Sequence, residues 1–211
     1  MSDASTSLEI PDWVQGERSD LAAILDDLSP EQWSAPSLCA GWRVQEVVAH
    51  LVMPVRVSTP RFVLEMVGAL GRFNVMADRR ARADAATLGP DGLRAAFEQY
   101  RSSPWKPPGG GFEGALSHDV IHGLDITTAL CLDRVVPGDR IDRVLGAQTP
   151  RSVKFFGVDL DGIQLVADDR DWTYGSGAPL RGLAQDLLLV QCGRRLPAGR
   201  LRGDAADRFR A

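Results

Sequence analysis

The sequence predicts an α+β fold, in which an N-terminal four-helix bundle over residues 1–148 is followed by a small C-terminal α/β domain over residues 149–211. Through the first two-thirds of the chain, apolar residues recur three and four positions apart, as they do along amphipathic helices. After about residue 150 apolar and polar residues alternate, which is typical of strands. The change of pattern falls in AQTPRS, residues 147–152, where we place the domain boundary.

The first two predicted helices are separated by SPEQW and PSLCAGW. Pro11 and Asp12 begin helix one, because proline is tolerated in the first turn of a helix. Its apolar positions are Leu21, Ile24, Leu25 and Leu28. The second helix carries His50, and prolines at 54 and 60 bend or interrupt the segment between it and Leu70. Its apolar face consists of Val44, Val47, Val48 and Leu51.

The third and fourth helices lie on either side of SPWKPPGGGF, whose prolines and glycines break a helix. GPDGLRAAFEQYRS, residues 89–102, is the predicted third helix, and DRRARADAA before it is predicted to be a solvated connection. The fourth helix runs from about Glu113 to Leu132 and is apolar nearly all round, as buried helices are. Four such helices predict a bundle.

The last third is predicted to form a small sheet and one helix. Asp161 and Gly162 are the pair expected at a tight hairpin turn within FFGVDLDGIQLVADD, and DWTYGS supplies a further strand. Pro179 is expected at the first position of a helix through LRGLAQDLLLVQC, and Gly193 just past its end.

Composition excludes several classes of function. A net charge of −4 and a pI near 5.4 supply no basic field for nucleic acid, and the apolar runs are shorter than the roughly 20 residues of a membrane span. The N-terminal MSDASTSLEIPDW lacks the features of a secretory signal, so we expect a cytoplasmic protein. The three cysteines are odd in number and far apart, which favours reduced, buried thiols over disulfides or a cysteine zinc site.

All three histidines of the chain fall in two predicted helices of the bundle. His118, His122 and Asp125 share one stripe of the fourth helix at spacings of three and four. His50 lies at the edge of the apolar face of the second helix, and facing bundle helices commonly assemble metal sites. Spacing alone leaves two alternatives: a three-histidine metal site, or core histidines with ordinary hydrogen-bond partners.

Three segments carry a family resemblance: LSPEQWSAPSLCAGWRVQEVVAHL, then SHDVIHGLDI, then GAPLRGLAQDLLLVQCGRRLPAGRLRGD. Together they resemble the DinB-like metalloenzyme superfamily, and within it the mycothiol-dependent maleylpyruvate isomerase type. The resemblance implies that His50, His118 and His122 are metal ligands. It also matches Asp125 and Arg194 to functional positions of the family.

The chain departs from the isomerase pattern at His118, where that enzyme is expected to have a glutamate ligand. Three neutral imidazoles leave a divalent ion with its full +2 charge, whereas a carboxylate would leave +1, so the ion is expected to be a stronger Lewis acid. Zinc is the ion favoured by an open site of three nitrogen ligands, and nickel is the alternative.

Two further residues have both a functional and a structural interpretation. Asp125 is either a hydrogen-bond acceptor for a ligand imidazole or a general base, or else it caps backbone or pairs with an arginine. Arg194 either binds a carboxylate of the substrate or thiol cofactor, or lies as a cation at a helix end.

The sequence therefore predicts a metal-dependent enzyme that uses mycothiol or a similar thiol as cosubstrate and acts on a small electrophile by isomerisation or S-transfer. Small molecules, rather than nucleic acid or membrane, are the expected partners. Two alternatives are a metal-dependent hydrolase, in which the open site activates water, and a non-catalytic binding module that keeps the metal for structure.

Overall fold

The computed structural model describes the backbone of residues 3–211 and the side chains from residue 10 onward. Over this part of the chain it has an α+β fold, which confirms the predicted fold class. The helices are α1 (Asp3–Asp26), α2 (Pro30–Ser34), α3 (Val44–Arg56), α4 (Thr59–Gly68), α5 (Phe73–Arg101), α6 (Gly111–Ala129), α7 (Gly138–Gly146), α8 (Pro150–Phe156) and α9 (Ala184–Gln191). The strands are β1 (Ile163–Ala167), β2 (Thr173–Gly175), β3 (Ala178–Gly182) and β4 (Leu201–Arg202), and a 3-10 turn covers Ala206–Phe209.

The chain divides into two compact units, Met1–His122 and Gly123–Ala211. The change from one unit to the next falls inside α6, a single helix by its backbone hydrogen bonds. The domain boundary predicted near residue 148 stays a prediction. None of the described helices is both long and apolar enough to cross a membrane.

In the first unit, α3 packs on α5, and α1 also packs on α5. The predicted first, second and fourth helices correspond to α1, α3 and α6, although α1 begins at Asp3 and carries Pro11 in its interior. Helix α2 begins with a capping box, in which the Ser29 hydroxyl accepts from the backbone N–H of Gln32 and the Gln32 side chain accepts from the N–H of Ser29. Glu46 has the same role as Gln32 at the start of α3, where its carboxylate accepts a hydrogen bond from the N–H of Arg43 at 2.8 Å.

Helix α5 corrects one prediction and confirms another. The segment DRRARADAA, predicted to be a solvated connection, is helical because Ala77, Ala81 and Ala85 form a buried stripe one turn apart. Of its arginines, Arg79 and Arg82 are exposed, whereas Arg80 is largely buried and pairs with a carboxylate of the same helix. The third helix was predicted to start at residue 89, and α5 has a break at that position. The φ of Gly89 is 60°, a left-handed value that glycine adopts without strain. Pro90 then opens the next helical segment.

In the second unit the strands form one sheet in the order β2-β1-β3-β4. Strand β1 pairs antiparallel with β2 and parallel with β3, and β3 pairs antiparallel with β4. The strand predicted in DWTYGS is confirmed as β2. Gly193 lies just past α9 with a φ of 72°, as expected of the glycine that ends a helix.

Two predictions for this unit are wrong. No strand precedes Asp161–Gly162 in a hairpin, because Thr149 caps the helix α8 there and Gly157, with a φ of 70°, ends it. Pro179 lies in β3 instead of opening the last helix. Proline has no N–H, but the sheet loses no hydrogen bond at Pro179. The N–H of the preceding residue, Ala178, points to the β1 side, so position 179 faces the β4 side, and β4 pairs with β3 only at Arg181 and Gly182.

Candidate metal centre

The three histidines converge in the first unit. The ring centroids of His50 and His118 are 5.2 Å apart, and the centroid of His122 lies 5.0 Å from each of them. The Nε2 atoms of His50 and His118 approach to 3.3 Å. One nitrogen from each ring can be chosen so that all three lie within 4.8 Å of one another.

Local sequence explains this convergence in part. One turn of α6 separates His118 from His122, so both project from the same face of the helix. His50 is a buried residue of α3, where the neighbouring positions are also buried. Aromatic rings flank the group: the Trp42 ring lies 5.3 Å from that of His50, and the Trp105 ring 5.4 Å from that of His118, centroid to centroid.

The spacing of the rings can be compared with that of a tetrahedral ion. Nitrogen ligands about 2.1 Å from such an ion are about 3.4 Å from one another, and the ring centroids behind them are about 5.3 Å apart. The observed values are 3.3 Å between His50 Nε2 and His118 Nε2 and 5.0–5.2 Å between centroids. The rings therefore lie at the spacing expected of ligands to a divalent ion.

A buried carboxylate lies behind His118. One oxygen of Asp119, a residue only 1% exposed, lies 3.0 Å from His118 Nδ1. Because an ionised carboxylate only accepts hydrogen bonds, this contact places the ring hydrogen on Nδ1 and leaves the Nε2 lone pair directed at His50. Metal-ligating histidines generally have such a partner, which fixes the ring orientation and raises the basicity of the ligand.

Asp119 is itself held by Arg18 from α1 and Tyr100 from α5. Arg18 Nε donates to one carboxylate oxygen at 2.7 Å, and the Tyr100 hydroxyl donates to the other at 2.6 Å. Burial, reinforced by the Asp119 charge, raises the pKa of Tyr100 above its usual range, so the phenol stays protonated and acts as a donor. Arg18, 1% exposed, also donates to the carbonyl of Ser103 at 2.7 Å.

Sequence reasoning did not identify this network. From the sequence, Asp119 lies beside the histidine stripe, where a carboxylate is expected to be solvated or hydrogen-bonded rather than a metal ligand, and no motif includes Arg18. A signal for Arg18 was present, since the residue lies four after Val14 and three before Leu21, inside the apolar stripe of α1. An arginine in such a stripe needs a buried anionic partner.

The other two predicted site residues pair with each other in the second unit. Arg194 Nε and Nη2 donate to the two oxygens of Asp125 at 2.7 and 2.9 Å. Asp125 is fully buried, and Arg194 Nη1 donates to the carbonyl of Cys192 just after α9 at 2.9 Å. The structure thus shows Asp125 paired with an arginine and Arg194 at a helix end, which are the structural alternatives given above for these two residues. Their catalytic roles stay predictions.

Cys192 lies in the same surroundings. Burial raises the pKa of its thiol to about 12, with Asp125 acting in the same direction and Arg194 opposing it. The thiol is therefore protonated at neutral pH. All three cysteines lie within the described part of the chain as free thiols. Cys39 and Cys192 are buried as predicted, whereas the prediction of burial is wrong for Cys131, which is exposed.

The fold and the site are those of a helical protein with a three-histidine cluster in its first unit and a small mixed sheet in its second. Residues 14–103 match the family model described as the mycothiol maleylpyruvate isomerase N-terminal domain. The resemblance predicted from the sequence is thereby confirmed for that part of the chain.

Two solved structures share the fold. One is the crystal structure of the mycothiol-dependent maleylpyruvate isomerase, with a TM-score of 0.55, and the other is a histidine-to-alanine mutant of that enzyme, with a TM-score of 0.56. Each is 14% identical in sequence, over 95% of this chain and 93% of the other. No curated protein sequence matches the chain.

Proposed function

We propose that this protein is a metal-dependent enzyme that uses a low-molecular-weight thiol of the mycothiol type as cosubstrate and acts on a small electrophile, either by isomerising it or by S-transfer, in which the thiol is joined to it. The observation that carries the proposal is the convergence of His50, His118 and His122 at the spacing of a tetrahedral ion. The family match over residues 14–103 supports the thiol and the class of reaction.

In this proposal the three histidines hold a divalent ion, with zinc favoured over nickel by the nitrogen donor set. Such an ion, when bound, stabilises the thiolate form of a thiol far better than the thiol itself. His118 differs from the glutamate expected in the isomerase, and it compensates for the lost carboxylate by its hydrogen bond to Asp119. The site therefore still has one carboxylate, but the carboxylate contacts the far side of the His118 ring instead of the ion.

Arg194 and Asp125 are the residues we propose for catalysis. The two-point contact with Asp125 holds the guanidinium plane of Arg194 in one orientation, which favours recognition of a planar carboxylate. Arg194 is 16% exposed at its side chain, whereas Asp125 is fully buried. We therefore assign Arg194 to binding an anionic group of the thiol or substrate, and Asp125 to positioning Arg194.

The site should first be tested by metal analysis. Purified protein is expected to hold about one divalent ion per chain, and replacement of His50, His118 or His122 by Ala should remove most of it. Glu98→Ala, which changes an exposed residue of α5, is the control and should keep the metal. A metal-free protein that stays metal-free in excess zinc would show that the 3.3 Å contact between His50 and His118 is a hydrogen bond between rings.

The thiol should then be tested with cobalt in place of zinc. Adding mycothiol is expected to produce an intense near-ultraviolet sulfur-to-cobalt charge-transfer band in the wild type, and not in the histidine variants. The experiment should use Cys131→Ala as background, because Cys131 is an exposed thiol that could bind stray cobalt. A spectrum unchanged by thiol, with turnover of an ester or amide, would indicate the hydrolase; a closed tetrahedral spectrum without any turnover would indicate a structural metal.

A further inference from the structure

Cys39 lies on a hydrogen-bonded loop between α2 and α3. The backbone N–H of Trp42 donates to the carbonyl of Cys39 at 2.9 Å, which closes a four-residue turn. Gly41, the third residue of that turn, has a φ of 76°, the left-handed value that a type II turn requires and that glycine adopts without strain. The Ser37 hydroxyl accepts from the N–H of Cys39 at 3.1 Å and donates to the carbonyl of Trp42 at 2.9 Å. The position of the Cys39 backbone is therefore determined by hydrogen bonds within the loop.

The side chain of Cys39 contacts the third histidine. Its Sγ lies 3.7 Å from His122 Nδ1, within the range of a hydrogen bond to sulfur, and the residue is only 9% exposed. A neutral imidazole can donate from Nδ1 to the thiol sulfur, which is a weak acceptor. Nδ1 is the ring nitrogen bonded to Cγ, the carbon that joins the ring to the rest of the side chain.

Cys39 lies outside the triangle of histidines. Among the described residues, the candidate ligand atoms of His50, His118 and His122 lie within 4.8 Å of one another, and that group does not include Cys39. The Cys39 sulfur belongs to a second group of possible ligand atoms, which it shares with His122. With Nδ1 of His122 in contact with sulfur, coordination of an ion by His122 would use Nε2. His118 has the same arrangement, with Nδ1 directed at Asp119 and Nε2 at His50.

From these contacts we infer that Cys39 is a positioning residue for the metal centre, in which its thiol accepts the Nδ1 hydrogen of His122 and so directs Nε2 toward the ion. The inference rests on the proposed function for the presence of the ion. A thiol orients the ring without adding a second negative charge behind the ligands, whereas Asp119 adds one behind His118. The ion thus keeps most of the +2 charge that three neutral ligands leave it.

The test compares Cys39→Ala and Cys39→Ser with Cys131→Ala, the exposed cysteine, as control. Zinc affinity is measured by competition with a chelator. We expect Cys39→Ala to weaken zinc binding roughly 10-fold, the lower end of the effect of losing such a partner. Cys39→Ser keeps a hydroxyl acceptor and should stay within about threefold of the wild type. Cys131→Ala should leave the affinity unchanged.

Two further readouts separate positioning from packing and from direct ligation. In the metal-free wild type, nitrogen-15 NMR should show the ring hydrogen of His122 on Nδ1. In Cys39→Ala the ring hydrogen should be on Nε2 instead. Unchanged affinity together with an unchanged His122 tautomer in Cys39→Ala would overturn the inference. So would a sulfur-to-cobalt band in the thiol-free protein that Cys39→Ala abolishes, because Cys39 would then be a ligand. If the wild type binds no metal, the proposed function fails, while the tautomer measurement still decides the role of Cys39.

Discussion

The buried network behind His118 makes the most quantitative prediction. In Asp119→Ala, Arg18 keeps its contacts with backbone carbonyls but loses its only described salt-bridge partner, and the residue is 1% exposed. Removing one member of a buried ion pair costs about 3–5 kcal/mol, because the remaining charge is left uncompensated. A domain of this kind is stable by about 5–15 kcal/mol, so the substitution should remove a large part of the free energy of unfolding.

Urea unfolding of the metal-free protein, followed by circular dichroism, measures this loss. Glu98→Ala is the matched control, because it breaks an exposed pair with Arg101 and should cost no more than about 1 kcal/mol. The double variant Arg18→Met with Asp119→Leu should recover most of the loss, since apolar residues of similar volume can replace a buried pair. A cost for Asp119→Ala as small as that of Glu98→Ala would refute the reasoning.

Charge removal at the same position should act on the metal separately from stability. Asp119→Asn keeps the size of the side chain but removes the charge behind His118, so zinc affinity is expected to fall about 10- to 100-fold. The comparison with the wild type is made without urea, at a temperature where both proteins are folded. Equal affinity in the two proteins would mean that Asp119 serves folding alone.

Three other predictions concern Arg194, the cysteines and Glu46. Arg194→Lys should raise the KM for an anionic thiol about 10-fold or more with unchanged metal content, because lysine cannot reproduce a two-point contact; a matching loss of stability and activity would indicate a structural role. Iodoacetamide at pH 8 should modify exposed Cys131 first and Cys192 hardly at all, since a pKa of about 12 leaves about one thiolate in ten thousand, and rapid labelling of Cys192 in peptide mass spectra would contradict this. Burial alone raises the pKa of the Glu46 carboxyl, but hydrogen bonds from Arg43 outweigh it and hold the pKa below its usual value. The stability that Glu46 contributes is therefore complete above about pH 4.3 and is lost as the pH falls further. In a plot of unfolding free energy against pH, Glu46→Gln should make the fall at acid pH less steep than in the wild type. An equally steep fall in the two proteins would contradict this.

Much of the fold could be read from local patterns. Helical periodicity predicted α1, α3 and α6 because each buries an apolar face along its own length, and the glycine after α9 was predicted because few other residues adopt its φ of 72°. Local patterns failed where short-range signals competed. Alanines in DRRARADAA formed a buried face among many arginines, and a capping box at Thr149 outweighed the alternation that predicted a hairpin.

By itself, the sequence determined that His118 and His122 share a helix face, because four residues make about one turn whatever surrounds the helix. Tertiary structure alone decided that His50 reaches 3.3 Å from His118 and that Asp119 meets Arg18 and Tyr100, residues 101 and 19 positions away. It likewise decided that Cys39 lies behind His122. Spacing along one helix is set by backbone geometry, whereas contacts between helices depend on how their side chains pack, and no short stretch of sequence contains that information.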